Sequence, residues 1–218
     1  AERLMRDGFR VIATGRDEAL LASLNTPWVS LDLREAGAPA ELVAFALRET
    51  GRIDVVINNA GATKRGPFLD LTDADWLDGY ALKLFGAARV ARVAWPHLKA
   101  AGGSIVNIAG VGGRTPGAEF SIGGSVNAAL LSFTKSLAEA GIADGVQVNA
   151  INPGAIRTDR LRKRLAPADE DVFVKSQAIT RIGEPEEVAS LVAFLVSPEG
   201  RYLHGSLIDI DGGATKTI

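Results

Sequence analysis

The sequence predicts a doubly wound α/β fold, a parallel sheet covered by helices on both faces. Two observations carry this. Short apolar runs recur along the chain, several of them apolar without alternation, as strands buried on both faces are. Between them lie longer segments with helical spacing of apolar residues, so strands and helices alternate.

The chain opens inside a helical pattern. Ala1–Arg6 reads as the last turns of an amphipathic helix, with Leu4 and Met5 apolar and Asp7-Gly8 as its stop. No initiator Met and no N-cap precede it, so the sequence reads as a fragment with further residues upstream. Phe9–Thr14 is a first strand and Trp28–Leu33 a second. Pro39–Thr50 has helical spacing through Leu42, Val43, Ala46 and Leu47 and ends at Gly51; Ile53–Asn58 is an apolar strand. Asp75–Ala101 is a long helix expected to bend near Pro96, because proline removes a backbone donor and clashes with the preceding turn. Ser104–Ala109 is a strand, followed by a Gly-rich loop and a helix from about Gly123. Val146–Asn152 is a strand ended by Pro153-Gly154, and Arg160–Thr180 is a polar segment that reads as a substrate lid. Glu184–Ser197 is a helix with Pro185 and three carboxylates in its first turn, where the dipole favours them; Ser206–Ile210 is the last strand.

Composition bounds the function. At 218 residues and 47% hydrophobic, the chain is expected to form one domain over residues 1–218. A net charge of −2 with interspersed signs gives no reason to expect nucleic acid or an anionic membrane as partner. The one basic run, Arg157–Arg164, reads as a solvated face. Zero Cys excludes thiolate chemistry and suits a reduced, cytoplasmic setting, while two distant His argue against a metal site. No apolar run reaches the length of a membrane span.

In such sheets ligands bind beyond the C-terminal ends of the strands, so the residues there matter most. Asn58-Asn59-Ala60-Gly61 follows one strand and Pro153-Gly154-Ala155-Ile156-Arg157-Thr158 another. Arg181-x-Gly183-x-Pro185-Glu186-Glu187-Val188 leads to a final Asp211-Gly212-Gly213. With these motifs in this order, the chain resembles a short-chain dehydrogenase/reductase over essentially its whole length. The resemblance implies a Rossmann-like three-layer α/β/α domain, an NADP or NAD cofactor, a small-molecule carbonyl or alcohol substrate, and a homodimer or homotetramer. It also implies a first strand and a Gly-rich phosphate-binding turn that these residues do not contain. Without that strand, the strands at Val11 and Val55 are expected to leave a slot in the sheet.

The resemblance assigns cofactor positions to Arg16, Asp32, Leu33, Asn58, Asn59, Ala60, Gly61, Asn127, Pro153, Gly154, Ile156 and Thr158. Arg16 follows Gly15, where the family places an Asp or Glu for the ribose 2′-OH; a guanidinium there suits a 2′-phosphate, which favours NADP, or is a solvated loop arginine. Thr158 contacts the cofactor or caps a following helix.

The family's catalytic Ser, Tyr, Lys and Asn fall on Gly110, Gly123, Asn127 and Lys83. No shift of register restores the tyrosine, because the chain has two, Tyr80 and Tyr202, and neither is on this loop or helix. Two accounts follow. In one, substitute groups serve an oxidoreductase: Lys83 supplies a positive charge or a proton, and Ser121 lies on the loop entering the helix. In the other, the fold binds nucleotide or a partner without turnover, as two glycines opening a helix suggest. Lys83 could equally be a structural ion pair, and Ser121 a helix start.

Overall fold

In the computed structural model, which describes residues 1–216, six strands and nine α-helices alternate along the chain. The last two residues of the expected domain lie outside the described part. In order these are α1 (Glu2–Arg6), β1 (Ala13–Gly15), α2 (Glu18–Ala22), β2 (Trp28–Ser30), α3 (Ala38–Thr50) and β3 (Val55–Asn58). Next come α4 (Asp73–Tyr80), a π-helical segment (Ala81–Gly86), α5 (Ala87–Ala101), β4 (Ser104–Ile108) and α6 (Ser121–Asp144). They are followed by β5 (Gln147–Pro153), α7 (Asp159–Arg162), α8 (Glu170–Ser176), α9 (Pro185–Val196) and β6 (Leu207–Ile210).

All strand pairings are parallel. β3-β4-β5-β6 form one sheet, and β1-β2 pair separately. Nothing pairs β1 with β3, and each leaves one edge without a strand partner among the described residues. The central strands β4 and β5 are almost wholly buried, whereas β3 is half-buried throughout.

Period-two alternation explains the layers. Ile105 and Val106 are adjacent on β4 and point to opposite faces. Ile105 packs with Val43, Leu98 and Val148 under α3 and α5; Val106 packs with Ile151, Val192 and Leu195 under α9. Both are sealed from solvent, so the sheet is covered on both sides. Burying one such side chain contributes about 1.5–3 kcal/mol.

Several elements differ from the sequence reading for local reasons. The first strand begins at Ala13 rather than Phe9, and the second ends at Ser30. α2, which the sequence reading lacks, is capped by Asp17, whose carboxylate accepts from the Leu20 amide at 3.0 Å. The long helix starts at Asp73 because Thr72 and Asp75 form a capping box. It departs from α-geometry at Ala81–Gly86, ahead of Pro96. α6 starts at Ser121 instead of Gly123, and the lid resolves into α7 and α8.

Candidate active site

Lys83 meets the segments that follow the C-terminal ends of β3 and β4. Lys83 lies in the π-helical segment, a rare helical form often found at functional sites. Its ammonium donates to the Ala109 carbonyl at 2.7 Å, just past the end of β4. Burial, reinforced by the positive charge of Arg160, lowers its pKa from 10.5 to about 8. The stem lies against the β3 turn, where a Cβ on Gly61 would stand 3.0 Å from Lys83 Cδ. Arg160, on the lid, donates to the Gly61 carbonyl at 2.7 Å.

Gly110 and Asn127 are also adjacent, and neighbouring side chains fill the space beside Gly110 and Gly123. A Cβ on Gly110 would stand 3.0 Å from Asn127 Nδ2, so the Asn127 amide occupies that side of the loop. Gly110 has φ 149°, a backbone conformation that side chains rarely adopt. Gly123 and Asn127 are one turn apart on α6 and share a face. A Cβ on Gly123 would run into the Phe120 ring. Arg65 in turn lies over Phe120, with its guanidinium carbon 4.4 Å from the ring centroid. Asn127 is 3% exposed and its Oδ1 has no hydrogen-bond partner.

Ser121 does not join this group. It lies two positions before Gly123 on α6, about 200° around the helix, which turns it to another face. Its hydroxyl lies 3.4 Å from the Ala118 carbonyl, consistent with a helix start rather than a reacting group. Arg114, on the same loop, pairs with Asp209 at 3.1 Å and also donates to the Leu207 carbonyl. Phe120, Arg65 and Arg160 escape the sequence reading, because no spacing rule brings the β3 turn, the loop before α6 and the lid to one place.

Apart from Asn127 on α6, the positions assigned to a cofactor follow the ends of β1, β2, β3 and β5. Asn58 donates to Asn107 Oδ1 at 2.8 Å, tying β3 to β4, while Asn59 and Ala60 are exposed. Gly154 packs so closely on Asp211 that a Cβ would stand 2.7 Å from Asp211 Cβ. Ile156 bridges to Gly183, which ties the two ends of the segment between β5 and α9 together. Pro153 ends β5. Thr158 occupies the N-cap position of α7 without a capping side-chain bond, which leaves its hydroxyl available to other partners. At the far end, Arg16 is solvated and 3.5 Å from Asp32. Asp32 is occupied by Arg34: the Arg34 amide donates to it at 3.0 Å, and that bond leads in lowering its pKa. Arg34 also reaches Asp78. Leu33 packs beside Gly86 of the π-helical segment, where a Cβ would stand 3.5 Å from its own.

Among the described residues no helix is long and apolar enough to cross a membrane. The family model described as Enoyl-(Acyl carrier protein) reductase matches residues 1–215. The short-chain reductase protein NovJ of Streptomyces niveus is 34% identical over 229 residues, covering 98% of this chain and 87% of that protein. The crystal structure of L-sorbose reductase from Gluconobacter frateurii, complexed with NADPH and L-sorbose, has a TM-score of 0.82 at 28% identity, covering 96% of this chain and 88% of that one. An NADPH-bound short-chain oxidoreductase of Pseudomonas aeruginosa PAO1 with an atypical catalytic centre has a TM-score of 0.93 at 24% identity, over 100% of this chain and 91% of that one. At that identity the likeness is one of fold. With parallel strands under helices on both faces, motifs at the strand ends and a family match along nearly its full length, the chain belongs to the short-chain dehydrogenase/reductase family.

Proposed function

We propose that this chain is an NADP-dependent oxidoreductase that interconverts a carbonyl and an alcohol on a small molecule, with Lys83 in place of the usual tyrosine acid. One observation carries the reading. Lys83 is held at the end of β4 with a pKa of about 8, so its ammonium can release a proton near neutral pH.

The residues suit a dinucleotide. Asn127 Oδ1 is a buried acceptor with no partner, and a ribose hydroxyl would satisfy it. Asn58, Asn59, Ala60 and Gly61 would flank the adenosine side, with Asp32 and Leu33 beside the adenine. Pro153, Gly154, Ile156 and Thr158 would flank the nicotinamide side. Arg16, exposed at the end of β1, would meet a 2′-phosphate, which favours NADP over NAD. The cofactor, when bound, supplies or accepts the hydride. Lys83 holds the substrate oxygen by its positive charge and gives or takes the proton there. The lid excludes water, its Glu170 fastened at 2.7 Å to Arg157, which also pairs with Glu184 at 2.9 Å. NovJ and the sorbose enzyme are both described as reductases, which supports the reaction class.

A specific observation favours a second reading, nucleotide binding without turnover. The Phe120 ring fills the space in front of Gly123 that a general acid would use. The test is NADPH consumption with ketones, aldehydes and quinones, alongside NADPH binding by fluorescence. Turnover lost in Lys83→Met supports the first reading. Binding without any turnover supports the second, and turnover unchanged in that variant removes Lys83 from the mechanism.

The partners on this reading are a small-molecule substrate and further copies of the chain, with no nucleic acid or membrane. Ala87, Ala91 and Ala94 on α5 are taken up by the protomer's own core, which leaves the half-buried Ala88 on α5 with Ala128 and Ala129 on α6 as the small residues that suit close helix packing in a homodimer or homotetramer. Zero Cys suits a cytoplasmic location.

A further inference from the structure

Lys83, Arg160, Arg65 and Arg164 form no ion pair among the described residues. Contacts tie them to one place. Arg160 holds the Gly61 carbonyl from above, and Lys83 lies under the same glycine. Arg65, four residues further along that turn, lies over Phe120, which closes the space beside Gly123. The like charges are close enough to act on one another. After burial, Arg160 is what lowers the Lys83 pKa, and Arg164 is what lowers that of Arg65. The carboxylate that acts on Arg65 in return, Glu119, is exposed.

The contrast with nearby arginines is informative. Arg157 is neutralised by Glu170 and Glu184, Arg162 by Asp159, and Arg181 by Glu187. The same region therefore pairs these three arginines and leaves Lys83, Arg65, Arg160 and Arg164 near the β3 turn without a carboxylate in ion-pair contact among the described residues. Such a site holds a positive potential that a substrate anion would relieve, and a guanidinium fork matches a carboxylate.

We propose that the substrate is an oxo acid, its carboxylate bound by Arg65 and Arg160 and its carbonyl turned to Lys83. This rests on the oxidoreductase reading above. The competing source of negative charge is a cofactor phosphate, and the experiment separates the two.

The test pairs oxo acids with their own methyl esters, acetoacetate and methyl acetoacetate among them, in NADPH oxidation by the full chain. The acids are expected to exceed the esters in kcat/KM by about tenfold, the scale of one charge-assisted contact. Arg65→Gln and Arg160→Gln should each cut the acid-to-ester ratio about fivefold or more, with Arg65→Lys restoring part of it. Esters equal to or better than acids, or a ratio unmoved by both variants, overturns the proposal. So does weaker NADPH binding in Arg65→Gln with an unmoved ratio, because the cations then serve the cofactor. If nothing is turned over, the oxidoreductase reading fails and calorimetry of acetoacetate on the protein decides alone. Saturable binding weakened in Arg65→Gln upholds the anion site, and absence of binding overturns it.

Discussion

Phe120 and Gly123 are complementary: the ring of the first occupies the space a side chain on the second would enter. The pair explains why the turn opening α6 has its glycine there. Glycine in a helix costs about 0.5–1 kcal/mol relative to alanine, and here it makes room for an aromatic ring that carries the Arg65 guanidinium.

The relationship predicts a change of sign. Gly123→Ala should destabilise by about 1–3 kcal/mol in the native background, because the new methyl group displaces a packed ring. In a Phe120→Ala background the same substitution should stabilise by about 0.5–1 kcal/mol, the ordinary helix preference. Urea unfolding of the four proteins measures the coupling. Equal effects in both backgrounds would show that the ring does not hold this position.

Lys83 predicts the pH dependence of turnover. Its pKa is lowered to about 8, so the ammonium predominates below that pH and the amine above it. Carbonyl reduction needs the proton, so kcat/KM for reduction should fall as pH rises through about 8. Alcohol oxidation needs the amine and should rise over the same range. Whatever activity Lys83→Met retains should lack this limb, as initial rates across the range would register.

Asn127 predicts a trade between stability and binding. Its Oδ1 is buried without a partner, which costs about 1–3 kcal/mol in the free protein. Asn127→Leu keeps roughly the volume and removes the unsatisfied atom, so the midpoint of urea unfolding should rise by an amount equivalent to about 1 kcal/mol. NADPH affinity, followed by fluorescence, should fall in the same protein. A variant both less stable and unchanged in binding would contradict the role given to this side chain.

Glu187 predicts acid sensitivity at the start of α9. Arg181 donates to it at 2.6 and 2.7 Å and the Glu184 amide at 2.8 Å, which lowers its pKa from 4.5 to about 2. A depressed carboxylate contributes stability that is fully present above its unfolded pKa and is lost as pH falls through the folded value. The loss should therefore run from about pH 4.5 down to about 2. Glu187→Gln should flatten that part of the stability–pH curve in circular dichroism, leaving the curve above pH 5 parallel to the native one.

Local pattern was enough to determine the alternation of strands and helices, the motifs after β3 and β5, and the loss of the tyrosine. Continuous apolar runs such as Ile53–Asn58 are typical of strands covered on both faces, although β3 is only half-buried, and a residue type absent from a segment stays absent in any fold. Element ends were less legible: Asp17 and Thr72 move or create helix starts through side-chain hydrogen bonds that propensity does not register. Tertiary structure alone decided which side chains meet at this end of the sheet. Phe120, Arg65, Arg160 and Lys83 lie on four separate segments, and only the parallel sheet, by ending its strands at one edge, brings those segments together. The same packing turned Ser121 away from that edge and left Asn127 buried without a partner, since helix rotation and burial depend on the whole core rather than on neighbours in sequence.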